Sequence, residues 1–286
     1  MRPPKVPKLP KLPRLPKAPK APQRRLAASP EALRKRRFLR GALGLGSGLL
    51  LGGCDRLNDS PAFTRLLSSA EALNLGLRDA VGGARVTMAQ EFTAADLSPS
   101  FRGNGNTDPD GAGYQALRAG GFADWRLHVD GLVQAPALLS LADLKAMPSR
   151  TQITRHDCVE GWSAIGQWTG VPLAQVMARV RPTAAARFLV FHCADTFSDG
   201  GAAVPYYESI DLHDAYHPQT LLAWGLNGQD LPVTNGAPLR LRVERQLGYK
   251  QAKYLMRIEL VADFAAIGGG HGGYWEDQGY QWYAGI

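Results

Sequence analysis

From Pro3 to Pro22 the chain sets a proline at about every third position, with lysine or arginine between, and a segment built this way cannot enter a helix or a sheet. Each proline lacks the amide donor that both ladders need, so the tract is expected to be extended and solvated. The same stretch distorts the charge balance. Residues 1–53 hold 14 of the 33 Lys and Arg and a single acid, Glu31. Residues 54–286 keep 19 basic and 24 acidic side chains, a net of −5, against +8 for the whole chain. The basic character belongs to a leader, and a nucleic-acid-binding surface loses its main support. What remains is of domain size, and 45% apolar content is enough to bury a core.

The leader has the order of an export signal. Arg34 to Arg40 is basic, and the Gly- and Leu-rich stretch Gly41–Gly53 is shorter than the roughly 20 residues a spanning helix takes. Arg36-Arg37-Phe38-Leu39 resembles a twin-arginine motif in imperfect register, an export route for proteins already folded around a cofactor. Leu51-Gly52-Gly53-Cys54 resembles a lipobox, with Cys54 as the site of a lipid anchor, and Asp55 resembles an inner-membrane retention signal. Phe63, Leu66, Leu67, Ala70, Leu73 and Leu77 recur at helical spacing before Gly82-Gly83, which predicts a linker helix. The expected organisation is a leader over 1–53, a lipidated N-terminus and linker helix over 54–90, and one catalytic domain over 91–286. That domain ends in a tail of glycines and aromatics expected to pack over it or to line a pocket mouth. With three cysteines in all, Cys54, Cys158 and Cys193, a purely disulfide framework is disfavoured.

Within the domain, Trp125–Val129 alternates like a strand, and Asp130-Gly131 predicts a turn into Leu132-Val133. Ser140 predicts an N-cap for a short helix over 141–147. Strands are expected at 187–191 and 254–261. In a further strand Leu239, Leu241 and Val243 face one way, leaving Arg240, Arg242 and Glu244 on the other. Strands and short helices mix without a βαβ rhythm, so the fold class is α+β. No GxGxxG or P-loop supports a nucleotide enzyme.

Two blocks carry the chemistry. The first is Thr154-Arg155-His156-Asp157-Cys158-Val159-Glu160-Gly161-Trp162-Ser163, continuing to Trp168-Thr169-Gly170-Val171-Pro172-Leu173. The second contains His217-Pro218, Leu226-Asn227-Gly228, Asn235-Gly236-Ala237-Pro238-Leu239-Arg240-Leu241 and Leu247–Lys253. Together they resemble the sulfite oxidase superfamily, in the bacterial branch containing periplasmic methionine sulfoxide reductase catalytic subunits. The resemblance implies mixed sheets with short helices and a Mo-molybdopterin cofactor. It makes Cys158 the single protein thiolate to the metal, a soft donor beside the two pterin sulfurs.

The same resemblance places Asn104, Cys193, Asn235, Arg240, Gln251, Ala252 and Lys253 on cofactor-binding positions. Arginine and lysine there suit a phosphate. Cys193 stands where that branch has threonine, and Phe101–Gly105 departs from the branch's pattern. A Cys158–Cys193 disulfide is the rival reading in an exported protein. Basic neighbours such as Arg155 are expected to favour the Cys158 thiolate. His156 and Asp157 fit either a general acid–base pair or support for the neighbouring ligand.

The expected activity is oxo transfer, or another two-electron step, on a small or oxidised-protein substrate such as a sulfoxide. A sulfite dehydrogenase-like enzyme and a non-catalytic binding module are the alternatives. No Cys-x-x-Cys-His motif is present, so electrons are expected to pass through a separate membrane haem partner. The expected setting is the periplasmic side of the inner membrane. The enzyme is expected to act as a monomer, because the chain ends before any dimerisation domain.

Overall fold

The computed structural model describes Leu73, residues 87–198 and residues 201–286. The leader, the Cys54 motif and the body of the linker helix lie outside the described residues. Residues 82–286 form one compact unit. Its elements, in chain order, are α1 (Ala112–Ala119), β1 (Arg126–Gly131), β2 (Ala137–Ser140), α2 (Leu141–Lys145), β3 (Arg150–Cys158), β4 (Trp162–Pro172), α3 (Leu173–Val180), β5 (Phe188–Ser198), β6 (Ala203–Asp211), α4 (Leu212–Ala215), β7 (Leu221–Leu226), β8 (Gln229–Asp230), β9 (Arg240–Arg242), β10 (Leu255–Val261) and α5 (Tyr274–Asp277).

Local chemistry explains the short helices. Ser140 Oγ accepts from the Asp143 amide at 3.1 Å, and the Asp143 carboxylate accepts from the Ser140 amide at 2.9 Å, a reciprocal cap that starts α2. In α3, Leu173, Val176, Met177 and Val180 recur at helical spacing, and all four are fully buried.

The strands form two five-stranded sheets. One runs β2-β1-β10-β5-β6, with β1 and β10 parallel and the other neighbours antiparallel. The other runs β3-β4-β7-β8, with β9 also paired to β7. One core joins them, taking Leu127, Phe191 and Ile258 from the first sheet and Val171, Leu222 and Leu241 from the second. This mixed, mostly antiparallel arrangement with helices of eight residues or fewer is the expected α+β class.

The turn expected at Asp130-Gly131 falls at Gly131, where β1 ends with φ +82° and the Val133 amide donates to the Gly131 carbonyl at 2.8 Å; the returning strand is β2 at Ala137–Ser140. The charged residues of the β9 segment are covered: Arg240 and Arg242 are fully buried and Glu244 is 3% exposed. The aromatic and glycine-rich tail does pack on the domain. Lys250 Nζ donates to Glu208 of β6 and, at 2.5 Å, to Glu276 Oε1 of α5, while Trp282 Nε1 donates to Ser209 Oγ at 2.8 Å.

Gly170 sits where β4 meets β7. A Cβ there would press on the Leu222 carbonyl and lie 2.7 Å from the Ala223 Cα, both backbone and unable to swing away. Gly170→Ala is expected to cost about 1–3 kcal/mol of stability by forcing the strands apart. An unchanged denaturant midpoint would show that this junction yields without strain.

Candidate active site

Strand pairing sets the position of Cys158. β3 and β4 are a hairpin in which Cys158 opposes Trp162, and Gly161 closes the turn with φ +83° and its amide on the Cys158 carbonyl at 3.0 Å. Alternation along β3 points His156 and Cys158 to the same face. His156 is fully buried and Cys158 is 9% exposed. Cys158 opens on a cavity of about 210 Å³ that it shares with Asn104, Glu160, Asp195, Gln251 and Lys253. Phe197, Tyr249, Trp275 and Tyr280 line the same cavity.

The residues expected to bind cofactor divide into two sets. Cys158, Asn104, Gln251 and Lys253 line the cavity, whereas Cys193, Asn235, Arg240 and Ala252 are buried outside its lining. Arg240 connects the two sets. Its Nη1 donates to the Asn235 carbonyl at 2.9 Å and its Nη2 to the Gln251 carbonyl at 3.2 Å. Burial, then the Arg242 charge, lowers the Arg240 pKa to about 9. Lys253 Nζ donates to the Asn104 carbonyl at 2.5 Å and to the Asn106 carbonyl. Burial and Arg240 bring the Lys253 pKa down to about 8. Asn235 Nδ2 donates to the Phe101 carbonyl at 3.3 Å, tying the 101–106 segment to this cluster.

Both Cys158 and Cys193 are free thiols, so the disulfide alternative falls. Cys193 Sγ lies 3.9 Å from the Phe191 carbonyl, and burial pushes its pKa well up. Burial also pushes the Cys158 thiol up, with the Glu160 carboxylate adding to that and Arg102 and Lys253 opposing it. Arg155 is not among the cations that act on it. Its Nε donates to Asp157 Oδ2 at 2.9 Å, so the expected role of Arg155 is corrected to Arg102 and Lys253. A metal bound here would have to displace the thiol proton.

His156 is not paired with Asp157. Its Nδ1 is 3.0 Å from Arg242 Nη1, which has no lone pair, so Nδ1 accepts and the neutral ring carries its proton on Nε2. Burial first, then Arg242 and Arg240, holds its pKa well below the usual histidine value. Asp157 instead takes Arg155 and the Ser163 hydroxyl at 2.5 Å. The two residues thus have separate partners on either side of the strand that carries Cys158.

Sequence reading missed Asp195 and Phe197 in the rest of the lining. Asp195 and Phe197 follow Cys193 on β5, but the register against β6 shifts between His192 and Thr196, so alternation alone does not place them. Trp275 and Tyr280 come from the tail, with ring centroids 5.3 Å apart, and Tyr280 meets Tyr249 at 5.3 Å. These two tail rings thus stand at the cavity, one of the two places expected for the tail.

A molybdenum–pterin group fits these residues on the chemistry of the donor set. The cavity offers one soft thiol and a lysine beside backbone carbonyls, with the Gln251 side chain in its wall. A buried free thiol and a lysine on the wall of one cavity suit a cofactor-dependent enzyme. The chain belongs to the oxidoreductase molybdopterin-binding domain family, whose model matches residues 116–265. It is thus a molybdopterin-dependent oxidoreductase.

Among its relatives is a putative protein-methionine-sulfoxide reductase subunit YedZ1 of Azospira oryzae, 35% identical over 88% of this chain and 87% of the relative. Another is the protein-methionine-sulfoxide reductase catalytic subunit MsrP of Xanthomonas axonopodis pv. citri, 36% identical over 80% of this chain and 70% of the relative. A chain of the sulfane dehydrogenase SoxCD from Paracoccus pantotrophus is 22% identical, with a TM-score of 0.43 over 49% of this chain and 39% of its own, a likeness too partial to argue from.

Proposed function

We propose that this enzyme reduces a sulfoxide, free or on an oxidised protein, at a Mo-molybdopterin whose single protein ligand is Cys158. The observation that carries the reading is a buried free thiol opening on a cavity that also holds Lys253 and Gln251. Asn104, Gln251 and Lys253 would hold the cofactor from the cavity wall. Asn235, Arg240, Ala252 and Cys193 would hold it through the backbone and charge behind that wall. When bound, the cofactor supplies two-electron oxo-transfer chemistry that the side chains alone lack.

The protein's own part is selection and exclusion. Phe197, Tyr249, Trp275 and Tyr280 give the cavity an aromatic lining suited to an uncharged sulfur group and hostile to bulk water. Glu160, beside Cys158, puts a carboxylate on the approach, and that disfavours sulfite, a dianion. The names of the relatives support the same substrate class.

The remaining parts of the proposal follow from the sequence. Residues 1–53 direct export, Cys54 carries a lipid anchor, residues 54–90 tether residues 91–286 on the periplasmic side of the inner membrane, and a membrane haem protein supplies electrons. Purified enzyme supplied with a reduced viologen dye should reduce methionine sulfoxide, free or in an oxidised protein. Its kcat/KM should exceed that for sulfite oxidation by about tenfold or more, ~1.4 kcal/mol of barrier. A preference for sulfite would overturn the substrate assignment.

A further inference from the structure

The aromatic tail is fastened to the domain by a buried charge cluster that the chemistry above does not use. Lys250 donates to Glu208 of β6 and, at 2.5 Å, to Glu276 Oε1 of α5, and all three side chains are buried. The Ser209 amide donates to Glu208 Oε1 at 2.7 Å. Lys250 thus faces two acids. The two carboxyls also hydrogen-bond each other, and ionised carboxylates only accept, so one of them carries a proton. Burial pushes the Glu208 pKa well up, with Lys250 opposing and Glu276 adding to it. Gly273 is fitted to the cluster: a Cβ there would press on Glu276 Oε2 and lie 2.7 Å from Glu208 Oε1.

Glu276 stands next to the cavity wall. Its neighbour Trp275 and the nearby Tyr280 both line the cavity, and Gly272 and Gly279, with φ +96° and +95°, bracket α5 as hinges. Further ties of this segment include Tyr249 Oη to the Gln281 carbonyl at 2.7 Å, Trp282 Nε1 to Ser209 Oγ at 2.8 Å and Tyr207 Oη to Asp277 Oδ2 at 2.6 Å. We propose that residues 268–281 are a gate over the Cys158 cavity, latched shut by the proton that Glu208 and Glu276 share against Lys250. Opening leaves Lys250 and Glu208 as a matched pair and puts Glu276 in water, where it ionises in the usual carboxylate range. Above that range the closed form holds one proton more than the open form. Closure therefore weakens as pH rises, until the pair itself ionises. The other titratable groups around the pair do not replace the latch. Tyr206 and Tyr207 on β6 and Cys193 on β5 stay neutral, since burial before all else pushes each of them up. On α5, against burial, bonds from Tyr207 and the Gly269 amide hold Asp277 below the usual carboxylate range. His271 faces Asp277, with Nδ1 3.2 Å from Oδ1. The gate involves no cofactor contact, so it stands apart from the reading of the reaction.

Hydrogen–deuterium exchange on the full chain tests the latch, with rates for residues 268–281 divided by the intrinsic rate at each pH. Between about pH 6 and pH 8 the opening of this segment in wild type should grow by up to about tenfold per pH unit, while β1 and β10 stay protected. Glu276→Gln keeps a hydrogen-bonding partner for Glu208 and has no proton to lose there, so its opening should be flat over the same range. His271 and Asp277 are unchanged in that variant, so the difference isolates the pair. Access to the cavity is read on cofactor-free protein with a bulky maleimide, quantified on the peptide that carries Cys158. At about pH 8 wild type should label roughly tenfold faster than Glu276→Gln, and comparing the two at one pH cancels thiol ionisation. Wild-type opening that ignores pH would overturn the proposal, as would the same pH dependence in Glu276→Gln. Equal labelling would show a segment that moves without gating the cavity. Loss of protection in β1 and β10 of Glu276→Gln would mark the carboxyl as part of the core, and either result sinks the gate.

Discussion

Cys158→Ser should reduce turnover to background while leaving the fold intact. The exchange removes one sulfur and adds no bulk. It falls at a wall already open to a cavity, so the change in stability should stay within about 1 kcal/mol. The chemical change is much larger. A serine hydroxyl is a far weaker acid than a thiol and a much harder donor, so it neither ionises readily in this buried position nor matches a metal held by two sulfurs. Burial already pushes the Cys158 thiol up, so the proposed ligation requires the metal to drive the proton off, and serine would make that exchange much harder. Lys253 and Gln251 remain in place, so pterin should be retained better than activity. X-ray absorption of the loaded variant should lack one sulfur scatterer at the metal. Turnover near wild type in a fully loaded variant would remove Cys158 from the mechanism.

Much of this site is legible in the sequence because its residues sit in two continuous blocks. Thr154–Leu173 is one hairpin followed by a helix, and Asn235–Lys253 is one strand with its flanking turns, so contacts near in sequence are also near in space. Cap chemistry at Ser140 and the apolar spacing of Leu173, Val176, Met177 and Val180 are equally local, and local rules suffice for them. What sequence reading missed depends on distant chain. Asp195 and Phe197 lie on β5 beyond its ladder with β10 and next to a register shift against β6, and Trp275 and Tyr280 are held to the domain by contacts such as Lys250 to Glu276 and Trp282 to Ser209. The alternating charges at Arg240, Arg242 and Glu244 imitate a solvated face. Nothing in their spacing reveals that His156, Gln152 and Trp168 cover them.

That buried cluster leads to the second large effect: Arg242→Met should destabilise the protein by about 3–5 kcal/mol. Arg242 Nε donates to Glu244 Oε1 at 3.0 Å and Nη2 to Glu244 Oε2 at 2.6 Å, with both side chains at 0% exposure. Gln152 Nε2 adds a bond to Glu244 Oε1 at 2.8 Å, and the Arg242 guanidinium lies 4.2 Å over the Trp168 ring. Removing the arginine strands a carboxylate where water cannot reach it and takes the donor from His156 Nδ1, two residues from Cys158. The destabilisation measures the orphaned charge rather than the value of the ion pair, since a buried pair roughly offsets its own desolvation. Replacing both partners separates the two. Arg242→Met with Glu244→Leu should recover at least about half of the loss, a coupling of ~1.5 kcal/mol or more in a double-mutant cycle read by urea unfolding. If the double variant were no more stable than the single one, the arginine would be holding the sheet by packing on Trp168, and the carboxylate would be incidental.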